Sequence, residues 1–540
     1  MSTEQIKQSY ESTPYPDLCY TQTHPDRLAT LATLLGLKPA PVTRCRVLEL
    51  GCAIGGNLIP MAYGLPDSEF VGVDLSPRQI AIGQTAVRDL GLSNITLHAA
   101  DIMEIGPQWG EFDYIIAHGV YSWAPPEVAD RLLAVCRQNL APHGVAYVSY
   151  NVYPGWHMLG ALRDMMLYRV KEIAEPQEQA ARAREFLEFL VEAVEPDDPY
   201  GTLGEAYKQL LQSYAGFVTR ERQQDKDGDE LLLHDELATV NTAVYFHQFI
   251  AHAGQHGLQY LSEADFARVM PTNLPPDVMQ QIRQMAGSVI EVEQYMDFVR
   301  NRTFRQTLLC HAEAPVRRSI GGDLSAFYVA SYAQPQKGEV DIRSTAVAQF
   351  QGPDGAVLTS DHPVTKAAML HLAEIAPVAL PFLDLLEIAR AQVYGRAAAQ
   401  TPDDQDARLL AMNILQAYSY SARLVELHVY QPPFVRYVSQ RPLAAPLARR
   451  QLAQGQSKVT NLRHERVKLD AIGQALLPYL DGEHDGEALL AQLQAHAAAG
   501  ELTLADGRPL PINTPQFQEK LGREMHFSLQ WLAWAALLVG

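Results

Sequence analysis

Three carboxylates stand where strand-like runs end. Glu49 lies two residues before Gly51 in Val47-Leu48-Glu49-Leu50-Gly51-Cys52-Ala53-Ile54-Gly55-Gly56-Asn57, Asp74 closes Val71-Gly72-Val73-Asp74, and Asp101 closes Ala99-Ala100-Asp101. Apolar β-formers running into a small-residue loop and then a helical pattern make a strand, a tight turn and a helix N-terminus. That is the frame of a nucleotide-sized pocket. In it, Asp74 can accept both hydroxyls of a ribose and Asp101 the exocyclic amine of an adenine. Acids also cap helices, but three at successive strand ends point to a bound nucleoside. A second group, His118, Tyr121, Trp123, Asn151, Tyr153 and Trp156, follows the fourth and fifth strand-like runs. In an open α/β sheet those carboxyl ends border the ligand crevice.

The elements that must position these residues alternate over 44–150. Strands are expected at Arg46–Leu50, Phe70–Asp74, Ile95–Ala99, Asp113–Ala117 and Val145–Tyr150, with helices at Asn57–Tyr63, Pro77–Leu90 and Pro125–Leu140. The repeated βα pattern with mostly apolar strands implies a parallel sheet covered on both faces. From about Leu159 to Arg302 the signal reads as helices almost throughout, including Glu172–Glu195, Leu237–His256, Glu263–Met270 and Pro276–Met285, with an exposed loop at Thr219–Asp229. Phe304–Cys310 and Leu324–Tyr332 read as two strands that either complete the first sheet or open the next domain. A hairpin over 346–360 and helices at Lys366–Ile375 and Pro381–Ala391 follow, then a linker at 396–407 and a small α/β or winged-helix unit from Val459. The expected division is 1–170, with 303–333 as candidate completing strands; a helical middle domain, 171–302; and two winged-helix-like parts, 334–455 and 456–540. The fold class is α/β: a Rossmann-like sheet, then a helical domain, then a mixed α/β C-terminal region.

Composition narrows the function. At 540 residues the chain is too long for one ordinary core. A net charge of −19 argues against nucleic acid as a partner, since that needs a basic face. Five scattered cysteines without a C-x-x-C pair speak for a reducing compartment and against a zinc ribbon. Met1–Tyr10 has no apolar core of a secretory signal, and Phe527–Val539 is too short to span a membrane, so a cytoplasmic protein is expected. His234 and His247 lack a third ligand at useful spacing, and no metal is expected.

The spacing Glu49-x-Gly51-x-Ala53-x-Gly55 resembles the first motif of class I S-adenosylmethionine-dependent methyltransferases, with Ala53 in place of the middle glycine. A nicotinamide enzyme, which wants G-x-G-x-x-G around a pyrophosphate, is the second reading. Adenosylmethionine carries an ammonium and a sulfonium and no pyrophosphate, which suits an acid at the loop. The cofactor-binding residues are then expected to be Glu49, Gly51, Cys52, Ala53, Gly55, Asn57, Asp74, Leu75, Gln79, Asp101, Ile102 and His118. Catalytic roles are expected for His118, Tyr121, Trp123, Asn151 and Tyr153. A lysine acceptor has a pKa of about 10.4, so only about one in a thousand is neutral at pH 7. A dry aromatic channel lowers that pKa and holds a cationic product. The same cluster would also suit a phenol or a small heterocycle. Asn-Pro-Pro-(Tyr/Phe), the mark of DNA amino methylation, is absent after the fourth strand.

Thr23-His24-Pro25-Asp26-Arg27-Leu28, His118-Gly119-Val120-Tyr121-Ser122-Trp123 and Tyr150-Asn151-Val152-Tyr153-Pro154-Gly155-Trp156 resemble one bacterial family. It joins a class I methyltransferase domain to a methyltransferase regulatory domain and includes protein-lysine methyltransferases that modify outer-membrane proteins. Leu231-Leu232-Leu233-His234-Asp235, Tyr245–Phe249, Gly257–Leu261, Gln294–Phe298 and Arg300–Arg305 resemble that regulatory domain. The resemblance implies a homodimer that methylates surface lysines of a protein substrate. It also implies an N-terminal arm around Tyr15, Tyr20 and His24 that closes over the cofactor. A small-metabolite methyltransferase and an adenosylmethionine-binding regulator without turnover stay open beside it.

Overall fold

The computed structural model describes residues 3–194, 204–224, 228–269, 274–396, 404–502 and 515–539. Its centre is a seven-stranded sheet made of β1 (Arg46–Leu50), β2 (Glu69–Asp74), β3 (Ile95–Ala99), β4 (Phe112–Ala117), β5 (Leu140–Asn151), β6 (Leu258–Glu263) and β7 (Phe304–His311), in the order β3-β2-β1-β4-β5-β7-β6. β1 to β5 are parallel, and β7 runs antiparallel between β5 and β6. Val47, Leu48, Ile115, Ile116, Ala146 and Val148 are fully buried, as strands covered on both faces require. One face packs on helix Pro126–Asn139, the other on helices Pro25–Leu34 and Leu58–Gly64.

The strands of 44–150 lie where the alternation predicts. Helix Pro77–Asp89 shows why its start is legible: Ser76 Oγ accepts from Gln79 N at 3.2 Å and Pro77 fills the first turn.

Several expectations change. The stretch 159–302 is not helical throughout, because Leu258–Glu263 is a strand of the central sheet. Six residues after a helix end at Gly257 (φ +72°) are too few to display a period of two. Helix Phe246–Gln255 replaces the expected Leu237–His256, since Val152 bridges to Val244 in extended conformation just before it. The loop expected at Thr219–Asp229 is helix as far as Gln224; 225–227 lie outside the described residues. Of 324–332, Tyr328–Ala330 forms a strand that pairs with Leu380–Pro381 and Glu426–His428 in a separate sheet, and so does not join β1–β7. The linker expected at 396–407 lies mostly outside the described residues, but helix Asp404–Tyr420 begins within it.

Three helices, Gly155–Val170, Pro176–Ala193 and Gly204–Gln224, leave the sheet after β5 and bury their own core around Leu162, Met166 and Leu187. The segment following β7 packs into the same apolar cluster as one sheet face, through Leu324, Phe327, Val329 and Leu427. The C-terminal unit has a separate core of Leu476, Leu489, Leu493, Leu532 and Leu537 around the hairpin Lys458–Thr460/Arg466–Lys468. Among the described residues, no helix is long and apolar enough to cross a membrane.

Candidate active site

The carboxyl ends of β1 to β4 open into a cavity of about 1180 Å³, its mouth included. Glu49, Gly51, Cys52, Ala53, Asn57, Asp74, Leu75, Gln79, Asp101, Ile102 and His118 all line it, as do Tyr20 and Trp123. The turn after β1 is tight: Gly51 sits at φ +75°, where a Cβ would stand 2.7 Å from Val120 Cγ2. Ala53 takes the left-handed conformation at φ +48°, so the alanine in the middle-glycine place keeps a glycine-like backbone.

Each acid is held differently. Asp74 Oδ2 accepts from Ala53 N and its Oδ1 from Ser76 N, both at 2.9 Å. Burial raises its pKa against those bonds. Asp101 Oδ1 accepts from Met103 N at 3.0 Å, a capping bond that leaves the other oxygen for a ligand. Glu49 is buried at the foot of the loop, where Oε1 accepts from Asn57 Nδ2 at 2.6 Å. Its Oε2 is buried without a hydrogen-bond partner among the described residues. An orphaned carboxylate oxygen of that kind fits a cationic ligand group. The donor set therefore suits a nucleoside with a positively charged tail.

Asn57 ties three parts of the chain together. Its Oδ1 accepts from Tyr20 N (2.9 Å), Thr23 Oγ1 (3.1 Å) and His464 Nε2 (2.7 Å). The arm over the pocket is pinned further by Tyr15 N donating to Gln79 Oε1 at 2.9 Å and by Ser76 Oγ donating to Glu11 at 2.6 Å. Tyr15 and Tyr20 meet through their hydroxyls at 3.2 Å, and the Tyr20 ring stacks on His118 at 3.6 Å. His118 Nδ1 meets the Tyr147 hydroxyl at 2.9 Å, and burial pushes the His118 pKa down to about 3.

Several expected residues lie elsewhere. Gly55 (φ +81°) shapes the turn without lining the cavity, whereas its neighbour Gly56 lines it, close to the arm at Asp17 and Leu18. His24 caps helix Pro25–Leu34, its Nδ1 accepting from Asp26 N at 3.2 Å, outside the cavity. The Tyr121 hydroxyl meets His252 Nδ1 at 2.8 Å while its ring packs on Phe249 and Tyr150, away from the opening. Asn151 is buried and donates to Asn241 Oδ1 at 2.9 Å, and Asn241 in turn donates to Asp235 O. Tyr153 stacks on His157 at 4.0 Å. Tyr121 and Tyr153 lie in the turns beyond β4 and β5, where the strand end does not fix which way a side chain points.

Other cavity residues escaped the sequence reading: Tyr10, Leu18, His234 and Asp235. His234 stacks on Tyr10 at 4.8 Å and meets Thr13 O at 2.7 Å, so the regulatory segment closes the pocket against the arm. Trp123 Nε1 donates to Asp235 O at 3.2 Å on the same rim. Tyr147, which strand alternation assigns to the core, supports His118. The family resemblance places the arm at Tyr15, Tyr20 and His24; Tyr10 and Leu18 extend it.

Three family models fall on this architecture: a methyltransferase domain over 47–144, a predicted methyltransferase regulatory domain over 228–311, and the "PKMT, C-terminal winged helix domain" over 440–537. The "Uncharacterized protein RP789" of Rickettsia prowazekii is 35% identical over 503 residues, spanning 92% of this chain and 87% of that protein. A second protein of that organism, RP028, is 36% identical over 46% of this chain and 94% of its own length. The solved structure of PKMT2 from Rickettsia typhi in complex with AdoHcy superposes with a TM-score of 0.84 at 28% identity, covering 98% of this chain and all of that one. The central sheet, the regulatory segment that lines the pocket and the C-terminal unit that reaches Asn57 are thus shared along nearly the whole length. The chain belongs to the class I S-adenosylmethionine-dependent methyltransferases, in the group that joins the catalytic sheet to a methyltransferase regulatory domain and a PKMT winged helix.

Proposed function

We propose that this enzyme methylates lysine side chains of a protein substrate. The observation that carries the reading is the wall facing the cofactor loop: Tyr10, Tyr15, Tyr20 and Trp123 with Asp235, drawn from three separated segments and enclosing one cavity. Bound S-adenosylmethionine supplies a methyl group activated by its sulfonium. Glu49 Oε2 would hold the cationic tail, Asp74 the ribose hydroxyls, and Asp101 with Ile102 the adenine edge. Gly51, Cys52, Ala53, Leu75 and Gln79 would line its length.

The chain's part in transfer is to present an uncharged amine. The aromatic wall desolvates a lysine ammonium and lowers its pKa, which releases the lone pair. The same ring faces then stabilise the methylated cation. His118, neutral at any physiological pH, orients the site through Tyr147 and Tyr20 and is too weak a base to take the proton from an ammonium. Asn151 is a positioning residue, acting through Asn241 on the Asp235 rim. The winged-helix match and the PKMT2 likeness support a macromolecular acceptor.

Incubation of the purified protein with methyl-labelled S-adenosylmethionine and cell extract tests this. Label is expected in protein bands and, after hydrolysis, in methyllysines. Label confined to the small-molecule fraction would assign a metabolite acceptor, and tight cofactor binding without label would indicate a regulator.

A further inference from the structure

We propose that Asp130, His252 and His256 form a binding site for a first-row divalent transition metal, zinc being the fitting ion. The site bridges the catalytic sheet's helix Pro126–Asn139 and helix Phe246–Gln255 of the regulatory segment. His252 lies in the last turn of the helix and His256, four residues on, is its C-cap, a spacing that still brings the two imidazoles to one side of the helix end. Their Nε2 atoms converge on a single carboxylate oxygen, Asp130 Oδ1, at 3.0 and 2.7 Å. All three donor atoms lie within 4.8 Å of one another. Zinc bonds of about 2.0–2.1 Å put tetrahedral ligands about 3.3 Å apart, so the two imidazole nitrogens need to move away from Asp130 Oδ1 by no more than about 0.6 Å.

The surroundings match a metal site. The Tyr121 hydroxyl meets His252 Nδ1 at 2.8 Å, the second contact that fixes a ligating imidazole with Nε2 free for the metal. Asp130 is 56% exposed, which leaves room for a water as fourth ligand. Imidazole nitrogens with one carboxylate favour zinc over magnesium or calcium. The position gives such an ion a structural consequence. Val128, two residues before Asp130, lines the cofactor cavity, and Phe249, one turn before His252, packs on Tyr121 and Tyr150. The ion would clamp the cavity wall to the regulatory segment.

The test uses the tag-free full-length protein, stripped with chelator and titrated with zinc alone by calorimetry, then with cobalt(II) by visible absorption. The expected result is one zinc per chain and a cobalt d–d band. Asp130→Asn and His256→Gln should each weaken zinc binding at least 10-fold and abolish the band. Tyr121→Phe should weaken zinc binding by about 10-fold through the lost outer contact. Circular dichroism identifies any variant that fails to fold, and the exposed Asp130→Asn keeps the test open in that case. Equal zinc stoichiometry and affinity in wild type and in folded Asp130→Asn and His256→Gln proteins would overturn the proposal. So would the absence of a cobalt band in the wild type. Either result would leave the cluster as hydrogen bonds alone.

Discussion

Burial pushes the Glu49 carboxyl up to about 7; its hydrogen bond from Asn57 opposes that shift and the charge of Asp74 adds to it. In the free enzyme this group is therefore close to half protonated at neutral pH. A cationic ligand binds its ionised form, so S-adenosylmethionine affinity should rise from pH 6 to 7.5. The ligand's α-amino group, with a pKa of about 7.7–8.0, stays mostly protonated across that window and its sulfonium is charged throughout. Glu49→Gln should flatten the dependence in calorimetric titrations, and a variant that keeps the wild-type slope would remove Glu49 from this role. At Asp74, hydrogen bonds to a charged acceptor contribute about 1.5–3 kcal/mol each. Asp74→Ala should thus weaken cofactor binding by at least about tenfold, and an unchanged Kd would sink the ribose assignment. Both acids are legible in the sequence because a carboxylate at a strand end is a local feature. The support of His118 by Tyr147 is not, since a strand's alternation marks Tyr147 only as inward-facing.

At the scale of elements, β6, β7 and helix Val289–Arg300 are joined by one buried charge cluster. Arg305 is fully buried and donates to Glu263 (2.9 Å), Glu293 (3.0 Å) and Asp297 (2.8 Å), with its guanidinium 3.8 Å over the Phe246 ring. Removing one partner of a buried ionic group leaves charges uncompensated, at a cost of about 3–5 kcal/mol. Arg305→Met should therefore lower stability by that order in denaturant unfolding; a loss below about 1 kcal/mol would mean the acids are neutral in the fold. The run Arg300–Arg305 is visible in the sequence, but its acids are not. Glu263 sits on a strand hidden behind a helix, and pairing of β7 between β5 and β6 is what brings them together.

Across the whole molecule, three histidines, His464 buried and His24 and His118 half-buried, join parts that are far apart in sequence. Burial lowers the pKa of His24 to about 4, of His118 to about 3, and of His464 well below its ordinary value. Each is near 6.5 in the unfolded chain, so below that pH the unfolded state binds protons the folded state refuses. Their contribution to stability is full above about pH 6.5 and is lost progressively as pH falls toward 4. Melting temperatures measured from pH 7 to 4.5 should fall, and His464→Gln should make the fall shallower. An unchanged pH profile in that variant would mean His464 is not held neutral. Sequence by itself determined the parallel sheet, the loop after β1, the acids at its strand ends and the cationic nucleoside they suit. These depend on periodicity and turn chemistry within a few residues. Only the tertiary structure decided which residues close the pocket: Tyr10, His234 and Asp235 from segments over 200 residues apart, and His464 donating to Asn57 across 407 positions. Such contacts follow from which apolar faces pack together, and packing between distant segments leaves no local period to read.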